Sequence, residues 1–146
     1  ERLIVVQAED FAEQQGGLAE IVSDRQAVWG KAITKWHNDL GHWLQWKFTV
    51  PKTGNYHVIF RYGTLSEKTR RSLEIDGKVP NPTAAEIAFP RTGGFGSSPQ
   101  DWKYQTLQDA AGKDLALPLT AGEHTLRMTT LGDGMALDFI ALVRAD

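Results

Sequence analysis

Alternation of apolar and polar residues with period two runs through most of this chain, and the period of an amphipathic helix is nearly absent. From residue 42 to 50, Leu44, Trp46, Phe48 and Val50 fall on one face; Trp43, Gln45, Lys47 and Thr49 fall on the other. Pro51-Lys52-Thr53-Gly54 reads as a turn, with proline early and glycine late. Tyr56, Val58, Phe60 and Tyr62 then alternate with His57, Ile59 and Arg61, which predicts a hairpin. Arg71 to Ile75 is a further strand, closed by the turn dipeptide Asp76-Gly77. Strands are also expected over 3–7, 18–22, 103–107, 115–119, 124–130 and 136–143. One short helix is a candidate, from Ala8 to Gln15, running into Gly16-Gly17. Short strands at regular spacing with glycine punctuation predict an all-β chain, a sandwich or a barrel. Two segments, 24–41 and 79–101, read as long and irregular, and long loops on a β scaffold are where function tends to sit.

The size fits this reading. One domain over 1–146 is expected, since single cores commonly hold ~100–200 residues. Hydrophobic residues make up 41% and charged residues 23%, enough to bury a core. With no cysteine there is no disulfide, thiol nucleophile or thiolate zinc site. Sixteen basic and 18 acidic residues leave a net charge of −2, which gives no electrostatic reason for nucleic acid or an anionic membrane. No apolar run is long enough to span a bilayer. The chain starts at Glu1 without methionine or a basic-then-apolar leader, so it reads as a processed chain or a module cut from a longer one.

Two sets of residues stand out chemically. Gln7 and Glu9 lie two apart and share a strand face. Asp138 falls in the last strand beside Ala136, Ile140 and Leu142, where an unpaired carboxylate is costly. If the first and last strands are neighbours, two carboxylates and an amide oxygen converge, a hard-oxygen set suited to Ca²⁺. The plainer alternative is an exposed Glu9, with Asp138 capping a turn or paired with an arginine. The second set is aromatic. Trp29, Trp36 and Trp102 lie in or beside the irregular segments, and Phe95 lies in a run of glycine and serine. Flat rings on loops can stack on the C–H face of a sugar, while His37, Asn38, Asp39, Arg91 and Gln100 offer polar groups for its hydroxyls. The plainer alternative buries these rings as satellite cores. Trp43 and Trp46 sit inside a strong strand pattern and are assigned to structure. Catalytic patterns are weak: no HExxH spacing, no GxSxG elbow and no phosphate-binding glycine loop occurs.

Taken in order, the landmarks resemble a carbohydrate-binding module of the family 6 and family 35 type, in the galactose-binding-like β-sandwich group. Gln7-Ala8-Glu9-Asp10-Phe11 is similar to the family's opening motif. Gly41-His42-Trp43-Leu44-Gln45-Trp46 resembles its Gly-Asp-Trp-x-x-Tyr strand, with histidine for aspartate. Residues 50–56, Arg61-Tyr62, Thr92-Gly93-Gly94-Phe95, Ala121-Gly122-Glu123-His124-Thr125-Leu126 and Leu137-Asp138-Phe139-Ile140 follow in the family's order. The resemblance implies a jelly-roll β-sandwich of two antiparallel sheets with long loops at one end. It implies that Gln7, Glu9 and Asp138 share a structural Ca²⁺, with a backbone carbonyl near residues 29–31. It implies a sugar held between Trp36 and Phe95 at the loop end, with His37, Asn38 and Arg91 contacting it and Trp102 either a platform or a core ring. A second site on the concave face of one sheet would be lined by Trp46, Tyr56 or Tyr62. Ala136 departs from the asparagine that usually completes the loop-end site. The function implied is non-catalytic binding of a polysaccharide or oligosaccharide by a secreted module, extracellular or periplasmic, joined to a polysaccharide-degrading enzyme. The alternative is a structural or adhesion domain of a larger enzyme with no sugar site. His37 and Arg91 point mildly to an acidic glycan.

Overall fold

The computed structural model describes residues 3–37 and 39–145. Twelve strands are present: β1 (Leu3–Gln7), β2 (Glu13–Gln15), β3 (Glu20–Val22), β4 (Ala32–Trp36), β5 (Trp43–Val50), β6 (Gly54–Gly63), β7 (Thr69–Ile75), β8 (Ile87–Phe89), β9 (Lys103–Thr106), β10 (Ala116–Leu119), β11 (Gly122–Gly132) and β12 (Met135–Arg144). Among the described residues there is no α-helix, only short 3₁₀ turns. One sheet has seven strands, in the order β10-β6-β12-β4-β3, with β1 on β12 and β9 on β6. The other has five, in the order β2-β5-β11-β7-β8. All pairings within these orders are antiparallel. The expected two-sheet sandwich is therefore the observed one.

The core lies between the sheets. Leu44, Trp46, Phe48 and Val50 of β5 point inward from one side. Tyr56, Val58, Phe60 and Tyr62 of β6 meet them from the other. Each such ring or branched chain stabilises the fold by about 1.5–3 kcal/mol through lost water contact. The outermost strands β2, β3 and β8 are three residues each, and short edges offer little template for aggregation.

Three expectations are corrected here. Strands β5 and β6 do not form a hairpin; they lie in different sheets, and residues 51–53 carry the chain across. Alternation records which side of a strand is buried, and two strands facing each other across a core alternate as two paired strands do. The helix expected over 8–15 is a single 3₁₀ turn, Ala8–Asp10, followed by β2. Finally, the segments read as irregular contain β4 and β8. The dipeptide Asp76-Gly77 does form a turn with both φ angles left-handed (53° and 79°), and Ile75 and Lys78 exchange hydrogen bonds of 2.8 and 3.1 Å across it.

Candidate functional site

Strands β1 and β12 are adjacent, in register from Leu3 opposite Val143 to Gln7 opposite Phe139. After Gln7 the 3₁₀ turn carries Glu9 back toward β12. On β12 the register with β6 slips between Leu137 and Phe139, so Asp138 has no opposite residue. Such a bulge re-aims a side chain. The Asp138 side chain is fully buried, and its carboxylate accepts from the Trp29 backbone N–H (3.1 and 3.3 Å) and from Arg61 Nη1 (2.6 Å). Glu9 Oε2 accepts from the Lys31 N–H at 2.9 Å. Burial pushes the Asp138 carboxyl up, Arg61 and Trp29 oppose this, and neighbouring Glu9 adds to it. Gln7 Oε1 and Glu9 Oε1 are buried without a partner. Gly30, at φ +86°, keeps the space open: a Cβ there would come within 2.8 Å of Glu9 Oε2 and 3.9 Å of Gln7 Oε1. The three expected residues thus converge under the loop 27–31. Among the described residues no three His, Cys, Asp or Glu side chains form a metal cluster; this group is two carboxylates and an amide.

The loop end of the sandwich is less as expected. Trp36 is fully buried, lying edge-on to Trp46 at 6.5 Å with the Arg71 guanidinium carbon 4.2 Å from its ring centroid. Its ring therefore has no face for a sugar, because it points from β4 into the core between the sheets, against Trp46 of β5. Trp102 is also buried, its Nε1 donating to the Gln26 carbonyl at 2.8 Å. It packs on Ala32 and Ala136 in a satellite cluster, so it is a core ring. The same packing covers Ala136. Gly96 lies flat on Trp102; a Cβ there would sit 2.4 Å from Cζ2. Trp46, Tyr56 and Tyr62 are core residues as well, so none lines a sheet-face site.

What the loops do bring together is His37 and Phe95. Exposed His37 and half-buried Phe95 line a cleft of about 370 Å³ with Leu65, Ser66, Asp133 and Gly134. It adjoins a smaller recess of about 90 Å³ whose wall includes buried Trp36 together with His37, Phe95, Thr34 and Met135. Arg91 is exposed but does not line this cleft; it lies in a neighbouring hollow of about 380 Å³ with Glu67, Arg70, Ala88 and Pro90, its Nε donating to the Leu65 carbonyl at 3.1 Å. Asn38 lies outside the described residues. Leu65, Ser66 and Arg71 carried no signal in the sequence, since they come from turns and strands whose pairing only the fold reveals. Asp133, at φ 56°, accepts from the Ser66 hydroxyl. Buried Arg71 donates to the carbonyls of Trp36 (3.0 Å), Gly132 (3.0 Å) and Asp133 (2.9 Å), pinning two walls of the cleft. Burial lowers its pKa to about 9 against the pull of Asp133.

Two further clefts, about 250 and 430 Å³, open at the opposite end against Asp76 and His124. Both His124 nitrogens there are already engaged, by Asp76 and the Thr120 carbonyl, so the ring has no group to offer a ligand.

A model of the family "carbohydrate binding module (family 6)" matches residues 7–144. The chain belongs to that family. Within the module, the matched span covers both the residues converging under loop 27–31 and the loop-end cleft. Modules of this family are non-catalytic and are commonly joined to glycoside hydrolases. An exo-β-D-glucosaminidase of Amycolatopsis orientalis is 27% identical over 139 residues, which is 93% of the module but 12% of that protein. The module thus spans a small part of this relative. Its fold is similar to a family 35 module of Clostridium thermocellum (TM-score 0.74, 21% identity, 99% of this chain and 100% of that one). It is also similar to a module of Cellvibrio mixtus lichenase 5A solved with cellotriose (TM-score 0.68, 22% identity, 100% of both chains). No helix among the described residues is long and apolar enough to cross a membrane.

Proposed function

We propose that the module binds a glycan in the loop-end cleft, and that it directs an attached polysaccharide-degrading enzyme to its substrate outside the cell. The observation that carries this is the meeting of Phe95 and His37 at a cleft whose other wall holds Ser66 and Asp133. The exposed part of the Phe95 ring stacks on a sugar's C–H face. His37, Ser66 and Asp133 take the hydroxyls, in place of the asparagine that Ala136 replaces. A single site of this size binds weakly, because little apolar area is removed from water. Tethering to an enzyme raises the local substrate concentration instead. A polysaccharide panel in affinity electrophoresis tests this. Phe95→Ala and His37→Ala should each cut retention on the best glycan by about tenfold, in the range of a lost ring or charge-assisted contact of ~1–2 kcal/mol. Full retention in both variants would move the site elsewhere. Uronate polymers in the panel, set beside neutral ones, test the preference suggested by Arg91 and His37.

Gln7, Glu9 and Asp138 fit a Ca²⁺ ion. Their atoms are hard oxygens, two of them buried with nothing to bond, and Gly30 leaves room beside them. In this reading the ion ties both chain ends to the loop 27–31 and has a structural role.

A second reading is a packing domain of a larger enzyme with no sugar site. The burial of Trp36 and Trp102 favours it. It predicts no retention on any polysaccharide by a fully folded module.

A further inference from the structure

Asp138 already has a cation. Arg61 reaches it from β6 with Nη1 at 2.6 Å from Oδ2, and the same Nη1 donates to the Ala27 carbonyl at 2.6 Å. The guanidinium carbon lies 5.5 Å from the Trp102 ring centroid and 5.8 Å from that of Tyr104, and the side chain is 15% exposed. Ala27 is a non-glycine residue at φ 56°, in the left-handed region, which brings loop 24–31 against the guanidinium. The Asp138 carboxylate is thus bound to Arg61, while Gln7 and Glu9, each with a partnerless buried oxygen, reach the same loop through Gly30 and Lys31.

We infer that Arg61 is a resident counter-cation that shares Asp138 with Ca²⁺ and sets how tightly the ion is held. This rests on the calcium reading above. With Arg61 present, the buried Asp138 charge is compensated before any ion arrives, so the sandwich folds without calcium. The incoming ion then meets an anion already half-spent and a positive guanidinium beside it, and binds less tightly. The two cations are linked: whatever Arg61 contributes to the ion-free protein and loses when the ion shares Asp138 is subtracted from calcium affinity.

The test is calorimetric titration of Ca²⁺ into chelator-stripped protein, with melting curves in calcium and in chelator. Arg61→Met removes the charge and keeps the stem, Arg61→Gln keeps polar donors without charge, and Arg61→Lys keeps the charge. Met and Gln variants should bind Ca²⁺ at least about fivefold tighter than wild type and lose more melting temperature in chelator, while Lys behaves as wild type. Should Arg61→Met fold only when calcium is added, that supports the inference; should it fail to fold at all, the Gln and Lys variants decide. Calcium binding by Arg61→Gln but not by wild type supports it in its strongest form. Equal or weaker binding in the uncharged variants overturns it and leaves the calcium reading standing. No binding in any of the four overturns both.

Discussion

At the end of the sandwich opposite the cleft, His124 lies between two acceptors. Its Nδ1 is 2.6 Å from Asp76 Oδ2 and its Nε2 is 2.7 Å from the Thr120 carbonyl. Only the doubly protonated ring can donate to both. Burial alone would lower the His124 pKa, but the Thr120 carbonyl and Asp76 outweigh it and hold it above 6.5. For Asp76, burial pushes up, and His124 and the Thr125 N–H pull its carboxyl below its usual value. A raised imidazolium stabilises the fold fully below its unfolded pKa, and that contribution fades as pH rises through the folded value. A depressed carboxylate stabilises above its ordinary pKa of 3.8, and that fades as pH falls through its lower folded value. The pair therefore stabilises most between its two ordinary values, 3.8 and 6.5. Raising pH from about 6 to about 8 should lower the melting temperature of the wild type, and Asp76→Asn should reduce that fall. Identical slopes in the two proteins would show that the pair is not titrating. Nothing in the sequence pairs Asp76 with His124, since they lie 48 residues apart.

Among the elements, β12 shows what periodicity can and cannot disclose. Its strand character is plain in the residues, yet Asp138 occupies a bulge, and the parity of the alternation flips there. Ala136 faces the outer satellite cluster, whereas Ile140 and Leu142 face the main core, so the three do not share a face as the alternation suggests. Strand β4 was illegible for a related reason. It is only five residues long, and buried Thr34 and exposed Lys35 interrupt its apolar residues, so its pattern resembles a loop. Trp36 carries that ambiguity: a tryptophan next to His37 in an apparent loop looks like a platform, and on the inward face of β4 it is core. Replacing it measures which. Trp36→Ala should destabilise the module by about 3–5 kcal/mol in denaturant unfolding, the usual cost of an emptied aromatic core site. A cost below ~1 kcal/mol would mean the ring is not packed as described. Trp102 is legible only in hindsight: the loop carrying it folds back over Ala136, where a small side chain leaves the room.

For the whole molecule, the two chain ends meet. Strands β1 and β12 pair, and Gln7, Glu9 and Asp138 close that seam under the loop 27–31. An ion there would cross-link the first strand, the last strand and the loop. Bound at 100 times its Kd, it would add about 2.7 kcal/mol to stability. Excess chelator should then lower the melting temperature by several degrees, at about 2–4 °C per kcal/mol for a chain of this size. An unchanged curve, with no metal in the purified protein and no calcium bound by Arg61→Gln either, would remove calcium from the account. The sandwich architecture and the first-to-last strand seam follow from ordered motifs spread along the sequence. Of the loop-end cleft, His37, Phe95 and the turn 132–134 are legible from the ordered motifs, while Leu65 and Ser66 are not, because only the strand order brings their turn beside the others.

The central claim is that this cleft is where a glycan sits. Amide and side-chain NMR signals, followed while the best oligosaccharide of a panel is titrated in, test it most directly. The predicted result is that the largest shifts cluster on His37, Leu65, Ser66, Phe95, Asp133 and Gly134. Shifts concentrated on the five-stranded sheet around Trp43, whose ring lies 3.7 Å from the guanidinium carbon of Arg127 on β11, or none with any glycan, would contradict it.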